Sequence, residues 1–292
     1  MREKLSQEKV SELKRQANAI RISIIEMLVA AGSGHSAGPL GMADIFTALY
    51  FHILKHDPFF PNWSERDRLV LSNGHICPVL YATMAHAKYF PAEELYSLRK
   101  FGSRLQGHPH REFLPMLENS SGPLGSGLSQ AIGMAVAMRI DSKSKGETLL
   151  YTEGFRPSTV YCLMSDGELN EGNSWEAIML AGKERLDNLI AIVDRNNIQI
   201  DGNTEDIMPL EPLRHKWESF GWHVVDIDGH DFNEIIGAVN EAKRYHSKPS
   251  VIIAHTIPGK GVSYMEGKYE WHGKPPSKEE AEVALRELRV NL

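Results

Sequence analysis

Apolar positions recur at three- and four-residue spacing from about Lys9 to Ala31, where Val10, Leu13, Ala17, Ile20, Ile24 and Met27 share one stripe, as in an amphipathic helix. The stripe breaks at Gly32-Ser33-Gly34-His35, a stop signal. A second helix is predicted over Gly38–Leu54, with Pro39 in its first turn and Ile45, Leu49 and Ile53 in phase. Arg68–Ser72 reads as a short strand ending at Asn73-Gly74-His75, and helical spacing resumes from Val79 to Tyr89. Residues 102–127 carry Gly, Pro, Ser and His without periodicity, which predicts a long irregular loop of the kind that is functional or disordered. A helix follows over Leu128–Ile140. Beyond it, strands at Val160–Met164, Leu189–Val193, His223–Ile227 and Val251–His255 alternate with helices at Trp175–Leu186, Leu213–Phe220 and Ile235–Tyr245.

Apolar, β-branched strands separated by helices of about ten residues predict an α/β fold, a mostly parallel sheet flanked by helices on both faces. No repeat, low-complexity stretch or linker divides the chain, so one domain is expected across residues 1–292. It includes a helical N-terminal segment over 1–31 and a short C-terminal tail over 277–292, the latter containing a polar helix at Lys278–Val290.

Composition narrows the function classes without choosing one. The chain has 292 residues, 42% hydrophobic and 24% charged, with a net charge of −6. That is ordinary globular usage, and the negative balance argues against nucleic acid as the main partner. No apolar run is long enough to span a bilayer, and the charged start Met1-Arg2-Glu3-Lys4 does not read as a signal peptide. A cytoplasmic location is expected. Cys77 and Cys162, each among apolar neighbours, are expected to be buried free thiols rather than a disulfide.

The chemistry concentrates between Asp166 and Asn196. Each follows a predicted strand, a helix lies between them, and thirty residues separate them, the size of a βαβ unit. Parallel strands would bring both residues to the carboxyl edge of the sheet, where ligands bind in open α/β folds. A carboxylate and an amide oxygen converging there suit Mg²⁺ bridging a diphosphate, and Gly167 permits close backbone approach. Taken singly, Asp166 reads equally as a helix N-cap and Asn196 as a turn residue.

An Asp-Gly followed about thirty residues later by Asn is the motif of thiamine-diphosphate enzymes. The surrounding text, Asp166-Gly167-Glu168-Leu169-Asn170-Glu171-Gly172 and Asn196-Asn197-Ile198-Gln199-Ile200-Asp201-Gly202, resembles transketolase in particular. The same resemblance extends to Gly34-His35-Ser36-Ala37-Gly38-Pro39-Leu40-Gly41, Leu71-Ser72-Asn73-Gly74-His75, Gly107-His108-Pro109, Gly122-Pro123-Leu124-Gly125-Ser126-Gly127 and Trp271-His272-Gly273, in family order over about residues 10–276. Ser165 stands where the family usually has Gly, and Glu168 where a small or sulfur-bearing residue is common.

The resemblance implies a thiamine-diphosphate-binding fold of the diphosphate-binding type. It implies thiamine diphosphate and Mg²⁺ as cofactors, with Ca²⁺ or Mn²⁺ able to substitute. Asp166 and Asn196 would hold the metal through side chains and Ile198 through its carbonyl. Gly122, Pro123, Leu124, Gly167 and Asn196 would contact the cofactor, and Ile200 would pack on its body. His75 would serve the diphosphate and reacting carbon, His272 the diphosphate and substrate, His35 and His108 the sugar hydroxyls, and Glu171 a subunit contact near the centre. The implied activity is reversible transfer of a two-carbon ketol unit from a ketose phosphate to an aldose phosphate, as in pentose phosphate metabolism.

The half of a transketolase that binds the cofactor's pyrimidine ring has no counterpart in these 292 residues. A C-terminal partner subunit is therefore expected, in an α2β2 heterotetramer. Two alternatives remain: a non-catalytic thiamine-diphosphate-binding or regulatory subunit, and a deoxyxylulose-phosphate-synthase-like subunit, which Gly259-Lys260-Gly261 with Trp271-His272-Gly273 also resembles.

Overall fold

Alternation within each strand decides the architecture. In the computed structural model, which describes residues 4–144 and 158–290, five strands form one parallel sheet: β1 (Arg68–Leu71), β2 (Val160–Ser165), β3 (Leu189–Arg195), β6 (His223–Asp228) and β7 (Ser250–His255), in the order β1-β2-β3-β7-β6. A two-stranded antiparallel hairpin, β4 (Ile198–Gln199) with β5 (Gly202–Asn203), follows β3 directly. The helices are α1 (Gln7–Ala31), α2 (Ala37–Ala48), α3 (Cys77–His86), α4 (Ser126–Ser144), α5 (Gly172–Glu184), the single turn α6 (Thr204–Ile207), α7 (Leu213–Ser219), α8 (Phe232–Arg244) and α9 (Lys278–Val290). The predicted single domain extends to residues 1–3 and 291–292 and across 145–157, all outside the described residues.

Tyr161, Leu163, Ile190, Ile192, Ile252 and Ala254 pack into one core with α1, α2, α3 and α8. Their strand neighbours Val160, Cys162, Met164, Leu189, Ala191, Val193, Val251 and Ile253 pack into a second core with α4, α5 and α7. Successive residues of a strand face opposite ways, so the near-continuous apolar runs of β2 and β3 are buried on both sides, as a central parallel strand requires. Helix α1 starts where Ser6 accepts a hydrogen bond from the Lys9 N–H at 3.2 Å, a cap that contributes about 1 kcal/mol. It ends at Gly32 with φ 64, a left-handed stop that glycine adopts freely.

Three differences from the sequence-based expectation have physical reasons. The second predicted helix is α-helical only to Ala48 and closes with a π-turn over Leu49–Ile53. The β4–β5 hairpin is too short to leave a periodic signal. Helix α9 is not a polar tail: Ala281, Ala284 and Leu288 are buried, and Asn18 on α1 donates to the Leu288 carbonyl at 2.5 Å. Both cysteines are buried free thiols, and no described helix is long and apolar enough to cross a membrane.

Candidate active site

Register places the site. β2 and β3 pair in parallel with Ser165 opposite Asp194, so Asp166 and Asn196 leave neighbouring strands at the same edge, as their spacing predicts. Asp166 is fully buried. Its Oδ1 accepts the Gly167 N–H at 2.7 Å, and its Oδ2 accepts the Asn197 N–H at 2.8 Å and Arg195 Nη1 at 3.0 Å. Asp166 thus also caps the 3-10 turn Gly167–Asn170; the two readings of this residue are compatible. Burial pushes its carboxyl up from the ordinary range, while Arg195 and the two N–H groups pull it back.

Asn196 Oδ1 accepts the Ile198 N–H at 3.0 Å, and its Nδ2 donates to Asp194 at 2.8 Å, which fixes the orientation of the amide. Asp194, with Thr256 donating to its other oxygen, is pushed up to about 7 by burial. A carboxylate, a side-chain amide oxygen and a backbone carbonyl are donor types that Mg²⁺ accepts, alongside phosphate and water. No group of three or more His, Cys, Asp or Glu among the described residues could hold a metal.

The histidines come together although they are far apart in sequence. Ring centroids lie 5.0 Å apart for His35 and His75, 5.1 Å for His75 and His272, and 5.5 Å for His35 and His272. His108 flanks this trio and packs near Gly122, where a β-carbon would meet the imidazole at 3.8 Å. Ile200 is 60% exposed, yet it borders the cluster, since a β-carbon on Gly273 would meet Ile200 at 2.8 Å and His35 at 3.8 Å. An exposed aliphatic beside half-buried imidazoles is suited to pack on a ligand. Pro123 is exposed, Gly122 and Leu124 are half-buried, and Glu171 is exposed at the entry to α5.

Glu168 answers the question its position raises. The side chain turns inward, is fully buried, and accepts hydrogen bonds from the Ser72 hydroxyl, the Gly125 N–H at 2.6 Å and the Ser165 N–H at 3.3 Å. Ser72 in turn accepts the Gly127 N–H at 3.0 Å. A β-carbon on Gly127 would lie 2.4 Å from Ser72, so only glycine allows this approach. The carboxylate therefore clamps the Gly122–Gly127 loop onto the tips of β1 and β2.

Two functional candidates escape motif spacing. Arg99 lies against the Gly107 backbone and acts electrostatically on His35 and His108. Arg195 contacts Asp166. No sequence signal marks either one; each is brought to the site by the loop or strand end that carries it.

All four imidazoles are held below their ordinary range, with burial the leading cause. His35 falls to about 4, with His272, Arg99 and His108 adding to burial. Burial, then His272, His35 and His108, holds His75 well below its ordinary value; His108 is lowered by burial and Arg99, and His272 by burial alone. Neutral imidazoles at pH 7 can accept and return hydroxyl protons. Between pH 6.5 and about 4 the unfolded chain binds protons that the folded cluster refuses, so stability falls as pH falls. Asp194 acts with the opposite sign, because its raised carboxyl favours the folded state on acidification. The His35 contribution to thermal stability should thus fall by on the order of 1–2 kcal/mol by about pH 5, offset by Asp194, and a His35→Gln/His75→Asn double variant should flatten the histidine part of that slope. An unchanged slope would remove these histidines as its cause.

Residues 12–291 match the family described as transketolase, thiamine diphosphate binding domain. The chain belongs to the transketolase family. It is 45% identical over 277 residues to the 6-deoxy-6-sulfo-D-fructose transketolase subunit SqwG of Clostridium sp. (strain MSTE9), covering 95% of this chain and 96% of that one. It is 40% identical over 283 residues to an apulose-4-phosphate transketolase subunit from Phocaeicola vulgatus, covering 97% and 96%. The crystal structure of Campylobacter jejuni transketolase superposes with a TM-score of 0.86 at 39% identity, covering 95% of this chain but only 42% of that chain. The parallel sheet flanked by helices is the transketolase fold, and thiamine diphosphate is the cofactor of this transketolase domain.

Proposed function

We propose that the chain is the N-terminal subunit of a two-chain transketolase that moves a two-carbon ketol unit reversibly between a ketose phosphate and an aldose phosphate. The observation that carries the reading is the convergence of His35, His75 and His272 into one cluster bordered by Ile200, which lies four residues after Asn196. The Clostridium and Phocaeicola subunits match it nearly end to end, which supports a separate C-terminal chain that binds the pyrimidine ring, in an α2β2 assembly.

Mg²⁺ fits the donor set of Asp166, Asn196 and the Ile198 carbonyl, with a diphosphate supplying further oxygens. Thiamine diphosphate supplies the carbanion chemistry when bound. This chain's residues supply position and proton handling. The Glu168 clamp holds the Gly122-Pro123-Leu124 turn and Gly167 against the diphosphate end, and Ile200 packs on the cofactor body. His75 would serve the diphosphate and the reacting carbon, and His272 the diphosphate and the substrate. His35 and His108 hold sugar hydroxyls and, being neutral, accept a proton at a ring nitrogen and return it. Glu171 would contact a neighbouring subunit, a role its exposure supports. Reconstitution tests the reading: turnover should appear when the two chains are mixed and not with this chain alone.

A further inference from the structure

His230 has no task in the proposed mechanism, yet it belongs to a chain of hydrogen bonds that ends beside His35. The Ile257 N–H donates to its Nε2 at 2.8 Å. The ring proton is therefore on Nδ1, which donates to Asp44 Oδ2 at 2.7 Å. Arg21 pairs with both oxygens of Asp44, Nη1 at 3.2 Å and Nη2 at 2.5 Å, and its Nε donates to the Leu40 carbonyl at 3.1 Å. Burial alone would raise the Asp44 carboxyl, but Arg21 and His230 outweigh it and hold the group below its ordinary range. A charged carboxylate thus fixes the tautomer of His230, and the ring presents one lone pair to the Ile257 backbone.

That backbone opens the 256–261 loop, which bears on the turn that carries His35. The Gly259 N–H donates to the Ala37 carbonyl at 2.8 Å. A β-carbon on Gly41 would meet the Ile257 carbonyl at 3.0 Å, so the first turns of α2 lie flush on the loop. On its other side the turn is tied by Ser36, whose hydroxyl donates to the Lys274 carbonyl, two residues past His272. Ser36 is the N-cap residue of α2, but its side chain makes no capping bond. It forgoes a contact that contributes about 1 kcal/mol and joins the His35 and His272 segments instead. Placement of the two imidazoles, with centroids 5.5 Å apart, is what that hydroxyl serves.

We propose that His230, oriented by Asp44, is a positioning residue for ketol transfer: it holds the 256–261 loop against Ala37 and so sets the place of His35 in the imidazole cluster. The inference rests on the transketolase reading of that cluster. A shift of about 1 Å at a reacting group can cost about 100-fold in rate, so His230 can govern turnover without touching substrate. Loss of its ring leaves Asp44 paired with Arg21 and Thr256 bonded to Asp194. The fold and the strand-tip oxygens therefore stay in place.

The test uses the assembled two-chain enzyme with thiamine diphosphate and Mg²⁺. His230→Leu should lower kcat/KM about tenfold or more, while calorimetric affinity for thiamine diphosphate stays at the wild-type value. His230→Gln, whose amide keeps a donor for Asp44 and an acceptor for Ile257, should retain most of the activity. In a His35→Ala background, His230→Leu should cost little further, because its effect runs through that imidazole. Gly41→Ala presses a methyl group on the Ile257 carbonyl from the α2 side and should show the same dependence on His35, which covers failure of the leucine variant to fold. A merely structural residue would cost as much with His35 absent as with it present, and that outcome overturns the role of His230, as does wild-type kcat/KM in a folded His230→Leu enzyme. A wild-type complex without ketol transfer overturns the transketolase reading, and this inference with it.

Discussion

Mixed with a separately produced C-terminal transketolase chain, thiamine diphosphate and Mg²⁺, this chain should pass from background to ketol transfer at roughly 1–10³ s⁻¹, the ordinary enzyme range. Neither chain alone should turn over. The proposed reason is a division of labour in which this chain would hold the diphosphate end and supply the imidazoles, and the other would supply the carboxylate that activates the cofactor's ring. The acidic residues near the motif are not placed to replace it. Glu168 is sealed beneath the Gly122–Gly127 loop and committed to Ser72, Gly125 and Ser165, and Glu171 is exposed at the start of α5. Coupled spectrophotometric assay of each chain and of the mixture decides the matter. Substantial turnover by this chain alone would refute the two-chain account.

Asp166→Ala should lower Mg²⁺-dependent affinity for thiamine diphosphate by about 100-fold or more, since each tenfold corresponds to about 1.4 kcal/mol and the variant deletes the one anion of the proposed ligand set. The same change leaves Arg195 with Glu205 and Glu211 as partners, so the buried guanidinium is not orphaned. Loss of the buried pair should still destabilise the fold, by at most about 3–5 kcal/mol. Calorimetric titration with and without chelator, alongside circular dichroism, separates the two effects. A folded variant with wild-type affinity would place the metal elsewhere.

Much of this architecture is legible in the sequence because parallel strands buried on both faces must be apolar throughout, and β2 and β3 are. The meeting of Asp166 with Asn196 is legible because βαβ spacing determines which strands become neighbours. What the sequence hides depends on side-chain direction. Glu168 follows Asp166 by two residues and reads as an acid beside the diphosphate, yet a 3-10 turn rotates it inward. Arg195 reads as one more strand-end residue, and its bridge to Glu205 and Glu211 depends on the β4–β5 hairpin, whose two-residue strands carry no periodic signal. Helix α9 looks polar because only Ala281, Ala284 and Leu288 are buried, and two of those are small.

The most direct measurement is anomalous diffraction from crystals of the chain grown with Mn²⁺ and thiamine diphosphate. The account predicts a single strong peak within coordination distance of Asp166 Oδ1, Asn196 Oδ1 and the Ile198 carbonyl, in contact with the diphosphate. An ordered cofactor whose metal lies away from these three oxygens would contradict it.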